Sequence, residues 1–116
     1  MEAEKKHQHL KLKIAVSGAA DTAHCGENVY QLGSDLGREV AEQGAILIDG
    51  ATTGFPFLAA KAAKEAGGVV IGISPAATER EHVELYKLPL DFHDLIIYTG
   101  FGYSGRNVFM TRAADA

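Results

Sequence analysis

Short apolar runs alternate along the chain with longer stretches of helical periodicity. Four runs predict buried β-strands because they are continuous, short and followed by small or turn-forming residues, at positions 14–17, 45–48, 69–73 and 95–98. Three longer stretches repeat apolar or alanine side chains at helical spacing, at positions 27–43, 55–66 and 104–114. Because strands that alternate with helices build parallel sheets, the pattern predicts an α/β protein.

We expect a Rossmann-like fold, in which a parallel sheet of strand order about 3-2-1-4 carries helices on both faces. In that order the fourth strand forms an edge of the sheet, and an apolar edge is normally covered by a further strand, chain or helix. The domain spanning residues 14–116 is therefore expected to be incomplete at its C-terminus. Residues 1–13 are rich in Lys, Glu and His and are interpreted as a polar N-terminal arm.

Two local features depart from the regular pattern. Gly33 and Gly37 lie on one face of the first predicted helix. Glycine inside a helix costs roughly 1 kcal/mol relative to alanine, so the pair indicates close approach of this helix to the sheet or to a partner. The long connection at positions 74–93 is predicted to be a loop with one helical turn. It follows the carboxyl end of a strand, where α/β sheets bind ligands, and loops of this length are usually functional or mobile.

The composition is that of an ordinary soluble globular domain. The chain has 116 residues, 47% of them hydrophobic and 22% charged, and a net charge of -4, so one domain is expected. No basic field is present to displace counterions, which argues against non-specific nucleic-acid binding. Residues 1–13 contain no long apolar core and are therefore expected to be neither a secretory signal nor a membrane span. The single Cys25 excludes an intramolecular disulfide, and we expect a cytoplasmic location and no metal site.

Three loops of small residues carry the candidate chemistry, and each follows a predicted strand. They contain Ser17, Gly18 and Ala19 in the first loop, Gly50, Ala51, Thr52, Thr53 and Gly54 in the second, and Thr99 and Gly100 ahead of Arg106 and Asn107 in the third. Glycines let backbone N–H groups approach a phosphate, a helix N-terminus adds partial positive charge, and arginine binds phosphate bidentately. Because the loops meet at one edge of the sheet, they predict a phosphate-binding site clamped by Arg106.

Other interpretations of these motifs are weaker. Gly100, Gly102 and Gly105 match the G-x-G-x-x-G dinucleotide fingerprint, but the position of its acidic residue, about 20 residues later, falls beyond Ala116. A flexible turn is the alternative for this segment, and no Walker phosphate loop is present. Asp21, His24 and Glu27 are interpreted as solvated loop residues, with a role as polar ligands as the alternative. Cys25 is interpreted as an inert thiol and Asp49 as a turn former that frames the second loop. His82 and His93 are interpreted as surface or loop residues.

The order of these segments resembles the lysine-decarboxylase-like or SLOG superfamily. Within it, the chain is similar to the LOG group of nucleoside-monophosphate phosphoribohydrolases and especially to the molybdenum-cofactor carrier proteins. The resemblance covers nearly all of residues 14–116. It rests on Val16-Ser17-Gly18, on segment 49–54 ahead of an alanine-rich helix, on segment 67–75, and on segment 99–110 followed by Ala114-Asp115-Ala116.

The resemblance also assigns candidate roles. In this family an arginine with a methionine four residues on begins the active-site helix, and Arg106 and Met110 match that pair, which makes Arg106 the catalytic candidate. A P-G-G-x-G-T-x-x-E element should follow, in which the glycines bind phosphate and the glutamate serves in cleavage of an N-glycosidic bond. The sequence ends before it. Such cleavage needs a carboxylate near the sugar, and none of Asp49, Glu79 and Asp115 is expected to replace it.

The resemblance implies a nucleotide-like phosphorylated ligand and a homodimer or higher homo-oligomer that pairs through helices. We expect a binding protein that is not catalytic as it stands, requires no cofactor of its own, and takes the molybdenum cofactor or a nucleotide as its ligand. Thr99-Gly100 and Arg106-Asn107 favour the carrier branch. One alternative is a nucleoside 5'-monophosphate phosphoribohydrolase whose catalytic glutamate lies outside this chain. A second alternative is a structural fragment without a ligand.

Overall fold

A computed structural model describes residues 10–22 and 26–116 of the chain. The four strands are β1 (Lys13–Ala15), β2 (Ile46–Asp49), β3 (Val69–Ser74) and β4 (Leu95–Tyr98). The three α-helices are α1 (Val29–Glu42), α2 (Phe55–Glu65) and α3 (Gly102–Ala113). The predicted alternation of strands and helices is confirmed. Residues 1–9, the greater part of the predicted polar arm, lie outside the described residues.

All four strands are parallel, but their order is β1-β2-β3-β4. The predicted order 3-2-1-4 is wrong, because β4 pairs with β3, with Ser74 opposite Tyr98, and not with β1. The alternation of strands and helices determines that a sheet is parallel, and it leaves open which neighbour each strand takes. β4 nevertheless forms an edge of the sheet, as predicted.

The edge of β1 is taken by the last residues of the chain. The Asp115 N–H donates to the carbonyl of Lys13 at 2.8 Å, and the Ala15 N–H donates to the carbonyl of Ala116 at 2.8 Å. The Asp115 carboxylate also accepts from the Lys13 N–H at 2.8 Å. α3 therefore carries the chain from the β4 edge of the sheet back to the β1 edge.

Helices cover both faces of the sheet, as predicted. Leu47 and Val70 belong to a buried cluster with residues of α1 and α2, such as Val40 and Ala59. Ile48, the next residue of β2, packs in a second cluster with Ile73 and Met110 of α3. Because successive side chains of a strand point to opposite faces, α1 and α2 cover one face and α3 covers the other.

The glycine pair of α1 allows close packing, but the nearest atoms belong to the neighbouring helix α2 and not, as predicted, to the sheet or a partner. A Cβ atom at Gly37 would overlap the carbonyl group of Ala59 in α2, and one at Gly33 would lie 3.0 Å from the Cβ atom of Leu58. The two helices approach so closely that only hydrogen fits at these positions.

The connection between β3 and β4 contains the predicted helical turn. It is a π-helical turn at Glu81–Leu85. This conformation is rare in proteins, and where it occurs it often lies at a functional site. α3 begins at Gly102 and not at Ser104, and no side chain caps it. Among the described helices, none combines the length and the apolar character that crossing a membrane requires.

Candidate anion-binding cleft

A cleft of about 470 Å³ opens at the carboxyl ends of β1 and β2. Its walls are the loops that follow these two strands, the first turns of α3, and part of the connection between β3 and β4. The lining residues are Val16, Ser17, Gly18, Ala20, Gly50, Thr52, Thr53, Pro56, Tyr86, Lys87, Leu88, Tyr103, Arg106, Asn107 and Met110. The volume lies within the range of small-molecule sites, and the loops converge where the sequence predicts.

The structure separates the predicted site residues into two groups. The first group lines the cleft and consists of Ser17, Gly18, Gly50, Thr52, Thr53, Arg106 and Asn107. The second group lies outside the lining and consists of Ala19, Ala51, Gly54, Thr99 and Gly100. Residues of this second group make contacts that fix the conformation of the loops, and they do not face the cleft.

The loops after β1 and β2 are bonded to each other. The Phe55 N–H donates to the carbonyl of Ala19 at 2.9 Å, and the Thr53 hydroxyl donates to the carbonyl of Ala20 at 2.9 Å. Gly54 has a φ of 84°, and a Cβ atom there would overlap the Ala19 carbonyl. Only glycine meets both conditions, and the two loops consequently form one wall.

The turn after β4 is bonded to the end of β3 in the same manner. The Thr99 hydroxyl donates to the carbonyl of Ser74 at 2.7 Å. The N–H of Gly100 donates to the carbonyl of Ala76 at 2.9 Å. Thr99 and Gly100 thus position the start of α3 and do not reach the cleft.

Arg106 lies on the second turn of α3 and is only 7% exposed. Its Nη1 donates to the carbonyl of Gly50 and, at 3.4 Å, to that of Ile73. Its Nε donates to the Oδ1 of Asn107 at 2.8 Å, and its guanidinium carbon lies 5.4 Å from the centre of the Tyr103 ring. Two of the three guanidinium nitrogens are therefore committed to the protein, and the bidentate clamp predicted for Arg106 would have to use Nη2.

Gly50 is what permits this contact, because a Cβ atom there would overlap the guanidinium. Burial lowers the pKa of Arg106, and the nearby Tyr103 and Asp49 oppose that shift. An arginine with a lowered pKa still keeps its proton. The cleft is therefore bordered by a permanent cation that is hydrogen-bonded to the loop after β2.

A buried ionic pair lies beneath the same loop. The Nε2 of His93 lies 2.7 Å from the Oδ1 of Asp49, and their side chains are 1% and 0% exposed. The Nδ1 of His93 lies 2.8 Å from the carbonyl of Asp91. Since both partners accept, both ring nitrogens donate, which is the imidazolium form. His93 lies in the loop before β4, as one of the two predicted alternatives has it, but its side chain is not at the surface.

Several groups act on the pKa of His93. Burial works to lower this pKa, but the hydrogen bond and charge of Asp49 raise it, helped by the Asp91 carbonyl and the charge of Asp94. The net pKa lies above its ordinary value. His82 likewise lies in the connection between β3 and β4, but its side chain is fully buried and not at the surface.

Asp49 frames the second loop, as predicted for a turn-forming aspartate. Its Oδ1 also accepts from the N–H of Ala51 at 2.9 Å, and Ala51 has a φ of 53°, in the left-handed region. Its Oδ2 is buried and has no hydrogen-bond partner among the described residues. Asp49 does not line the cleft and acts on it through the backbone of the loop.

Several lining residues were not among the candidates that the sequence offered, and they include Tyr86, Lys87, Leu88 and Tyr103. The rings of Tyr86 and Tyr103 lie 5.4 Å apart, edge to face. The signal that could have found the first three is the length of the connection that carries them, which starts at the carboxyl end of β3. Of the three residues interpreted as solvated in the first loop, Asp21 and Glu27 are exposed, while His24 lies outside the described residues, as does Cys25.

Other grooves on the surface have a different charge. A groove of about 510 Å³ between α1 and α2 is lined by two cations and two carboxylates, Arg38, Lys61, Glu42 and Glu65. A groove of about 650 Å³ beside β1 contains one charge of each sign, Lys11 and Glu39. The cleft at the ends of β1 and β2 differs from both, because its described lining includes Lys87 and Arg106 and no Asp or Glu.

Comparison with known proteins gives consistent matches. The sequence matches the SLOG cluster4 family over residues 11–116. An uncharacterised protein of Archaeoglobus fulgidus is 32% identical over 105 residues, which are 90% of this chain and 64% of that protein. The molybdenum cofactor carrier protein of Chlamydomonas reinhardtii superposes with a TM-score of 0.72 at 33% identity, over 90% of this chain and 59% of that chain. The molybdenum cofactor binding protein of Rippkaea orientalis gives a TM-score of 0.76 at 28% identity, over 92% and 60%.

The chain spans less than two thirds of the length of each of these relatives. The two solved structures cover at least 90% of this chain, so its Rossmann-like α/β fold is shared with them. The family match covers both the cleft loops and the helix that carries Arg106. The resemblance to the SLOG superfamily is thereby confirmed, and the chain belongs to the SLOG cluster4 family.

Proposed function

We propose that this chain binds a small phosphorylated ligand in the cleft, in the manner of a molybdenum cofactor carrier. The observation that carries the proposal is the charge of the cleft. Its described lining holds two cations and no carboxylate, in a chain whose net charge is -4. A positive pocket within an acidic protein concentrates anions at that place alone.

Hydrogen-bond donors support the same function. Ser17, Thr52 and Asn107 line the cleft with hydroxyl and amide groups, which donate to phosphate oxygens. The first turn of α3 reaches the cleft through Tyr103, and the partial positive charge of a helix N-terminus favours anions. The cleft thus offers cations, neutral donors and a helix dipole to one anionic group.

The relatives narrow the class of ligand. The similar chains from Chlamydomonas reinhardtii and Rippkaea orientalis are named a molybdenum cofactor carrier and a molybdenum cofactor binding protein. A pterin cofactor offers a phosphate together with a flat ring system. The aromatic rings of Tyr86 and Tyr103 at the cleft provide apolar surface for such a ring. A nucleotide has the same two parts and is the accessible probe for this chemistry.

The alternative activity, hydrolysis of a nucleoside monophosphate, needs a carboxylate near the sugar to support an oxocarbenium-like transition state. The described lining contains none. The buried Asp49 lies outside it and bonds to His93. The arrangement in this part of the chain therefore favours binding over cleavage.

The test is a calorimetric titration of the chain with AMP and with inorganic phosphate at low salt, followed by an assay for adenine and ribose 5-phosphate. We expect AMP to bind more weakly as salt is added, because screening weakens an electrostatic contact, and we expect no hydrolysis. Substitution of Arg106 by Met should lower the affinity at least about tenfold, while Arg112→Met, an exposed arginine at the end of α3, should leave it unchanged.

Two results would contradict the proposal. Absence of heat with both probes would favour a structural fragment without a ligand. Sustained release of adenine would establish the phosphoribohydrolase alternative and end the carrier proposal.

A further inference from the structure

The connection between β3 and β4 forms one wall of the cleft through Tyr86, Lys87 and Leu88. This wall follows directly on the π-helical turn Glu81–Leu85. Leu88 is buried and Lys87 is exposed. This wall therefore presents one cation, Lys87, to the cleft. It belongs to a different part of the chain from the loops after β1 and β2.

This wall is fastened to the sheet by His82. The Nδ1 of His82 lies 2.7 Å from the hydroxyl of Ser74, at the end of β3, and its Nε2 lies 2.9 Å from the carbonyl of Pro89. A carbonyl only accepts, so Nε2 donates to Pro89. The Leu88 N–H also donates to the carbonyl of His82 at 3.0 Å. The backbone on both sides of Lys87 is consequently held in place.

Lys87 itself has a strained backbone, with a φ of 57°. A residue with a Cβ atom adopts this left-handed region only when its surroundings impose it, and such residues cluster at functional sites. Leu88, which follows it, is anchored in the interior. Lys87 is thus held in this conformation where it lines the cleft.

The two cations of the cleft are not equivalent. Arg106 donates through Nη1 to the carbonyls of Gly50 and Ile73 and through Nε to the side chain of Asn107. In the described part of the chain, three cationic side chains make neither an ion pair nor a hydrogen bond, namely Lys61, Lys87 and Arg112. Of these, only Lys87 lines the cleft. It is the cation whose donors are all available to a ligand.

We infer that Lys87 is the side chain that contacts the anionic group of the ligand, and that Arg106 is a positioning residue that holds the loop after β2 against α3. The inference rests on the proposed function and refines it. It moves the principal contact with the phosphate from the helix to the opposite wall of the cleft. The lysine ammonium is a point charge on a flexible side chain, so it can adjust its position to a bound phosphate. This suits a site that must also release its ligand.

The experiment compares AMP binding by the wild-type chain with binding by four variants. Lys87→Gln removes the charge, and we expect the affinity to fall at least about tenfold. Lys87→Arg keeps the charge and should retain most of the affinity. Lys61→Gln, on the exposed side of α2, is the matched control and should bind like the wild type.

The fourth variant, Lys87→Gly, separates binding from folding. Glycine tolerates the left-handed conformation, so this variant should melt at the same or a higher temperature than the wild type. It should nevertheless bind AMP as weakly as Lys87→Gln. A variant with an intact fold and a lost affinity is not what a purely structural role of Lys87 would produce.

The outcomes distinguish this inference from the function on which it rests. Wild-type binding with unchanged affinity in Lys87→Gln and Lys87→Gly would overturn the role of Lys87 and leave the proposed function standing. Failure of the wild-type chain to bind either AMP or inorganic phosphate would overturn both. If Lys87→Gln does not fold, Lys87→Gly gives the same comparison on a relaxed backbone.

Discussion

The loop after β2 lies between two buried ionic groups that are built in different ways. On one side, Asp49 and His93 form a closed pair in which each charge meets the other and neither side chain touches the cleft. On the other side, Arg106 has no carboxylate as a hydrogen-bond partner, bonds to the carbonyls of Gly50 and Ile73, and borders the cleft. Asp49 and Ile48 alternate along β2, so the two groups act from opposite faces of the sheet.

The difference indicates which group acts only on the stability of the fold and which also gives the cleft its positive charge. In a buried pair each charge is compensated by the other, and removing one partner leaves the remaining charge uncompensated. A cation bonded only to carbonyls keeps its positive charge, which then acts on whatever enters the cleft. The pair supports the loop from beneath, and the arginine gives the same loop its electrostatic character.

The largest effect is expected from breaking the closed pair. Asp49→Ala would leave the His93 imidazole without its carboxylate and remove the acceptor of the Ala51 N–H, so we expect a loss of about 3 kcal/mol in the free energy of unfolding. Urea unfolding followed by circular dichroism measures it. Asp91→Ala is the control, because the carbonyl of residue 91 still accepts from His93, and it should change stability by less than about 0.5 kcal/mol. Equal losses in both variants would contradict the importance of the pair.

A smaller loss of stability is expected on the other face. Arg106→Met keeps the length of the side chain but leaves the carbonyl of Gly50 without its donor, which should cost about 2 kcal/mol. Arg106→Met should also lose affinity for AMP, whereas the main effect of Asp49→Ala should be the loss of stability. Arg112→Met supplies the matched control in the unfolding experiment. An Arg106→Met protein as stable as the wild type would show that the contact with Gly50 contributes nothing.

The smallest effect is a dependence of stability on pH. The pKa of His93 is raised in the folded state, so the folded chain binds a proton that the unfolded chain releases above about pH 6.5. The contribution of His93 is complete below that pH and is lost as the pH rises through the folded-state pKa. Urea midpoints measured from pH 6 to pH 9 should therefore fall in the wild type and fall less steeply in His93→Gln. Identical slopes would exclude His93 as the cause.

The candidate site was partly readable from the sequence. The convergence of the loops after β1 and β2 follows from their position at the ends of parallel strands, and Arg106 could be placed there because a glycine-rich turn precedes it. Lys87 and the buried state of His82 and His93 could not be found in this way. His82 bonds to Ser74 and His93 to Asp49 across 8 and 44 positions, and neither stretch carries a periodic pattern that would predict burial.

The strand order also separates what the sequence could predict from what it could not. Apolar runs such as 45–48 and the helical spacing in α1 are local, because a strand or helix buries a face defined within a few residues. The sequence by itself therefore determined the elements, the parallel sheet and the glycine loops. Which strand adjoins β3, which cation is free, and which carboxylate meets His93 were decided only by tertiary structure. Those pairings join residues as far apart as Gly50 and Arg106, 56 positions along the chain, and they exist only once the sheet has brought its strand ends together.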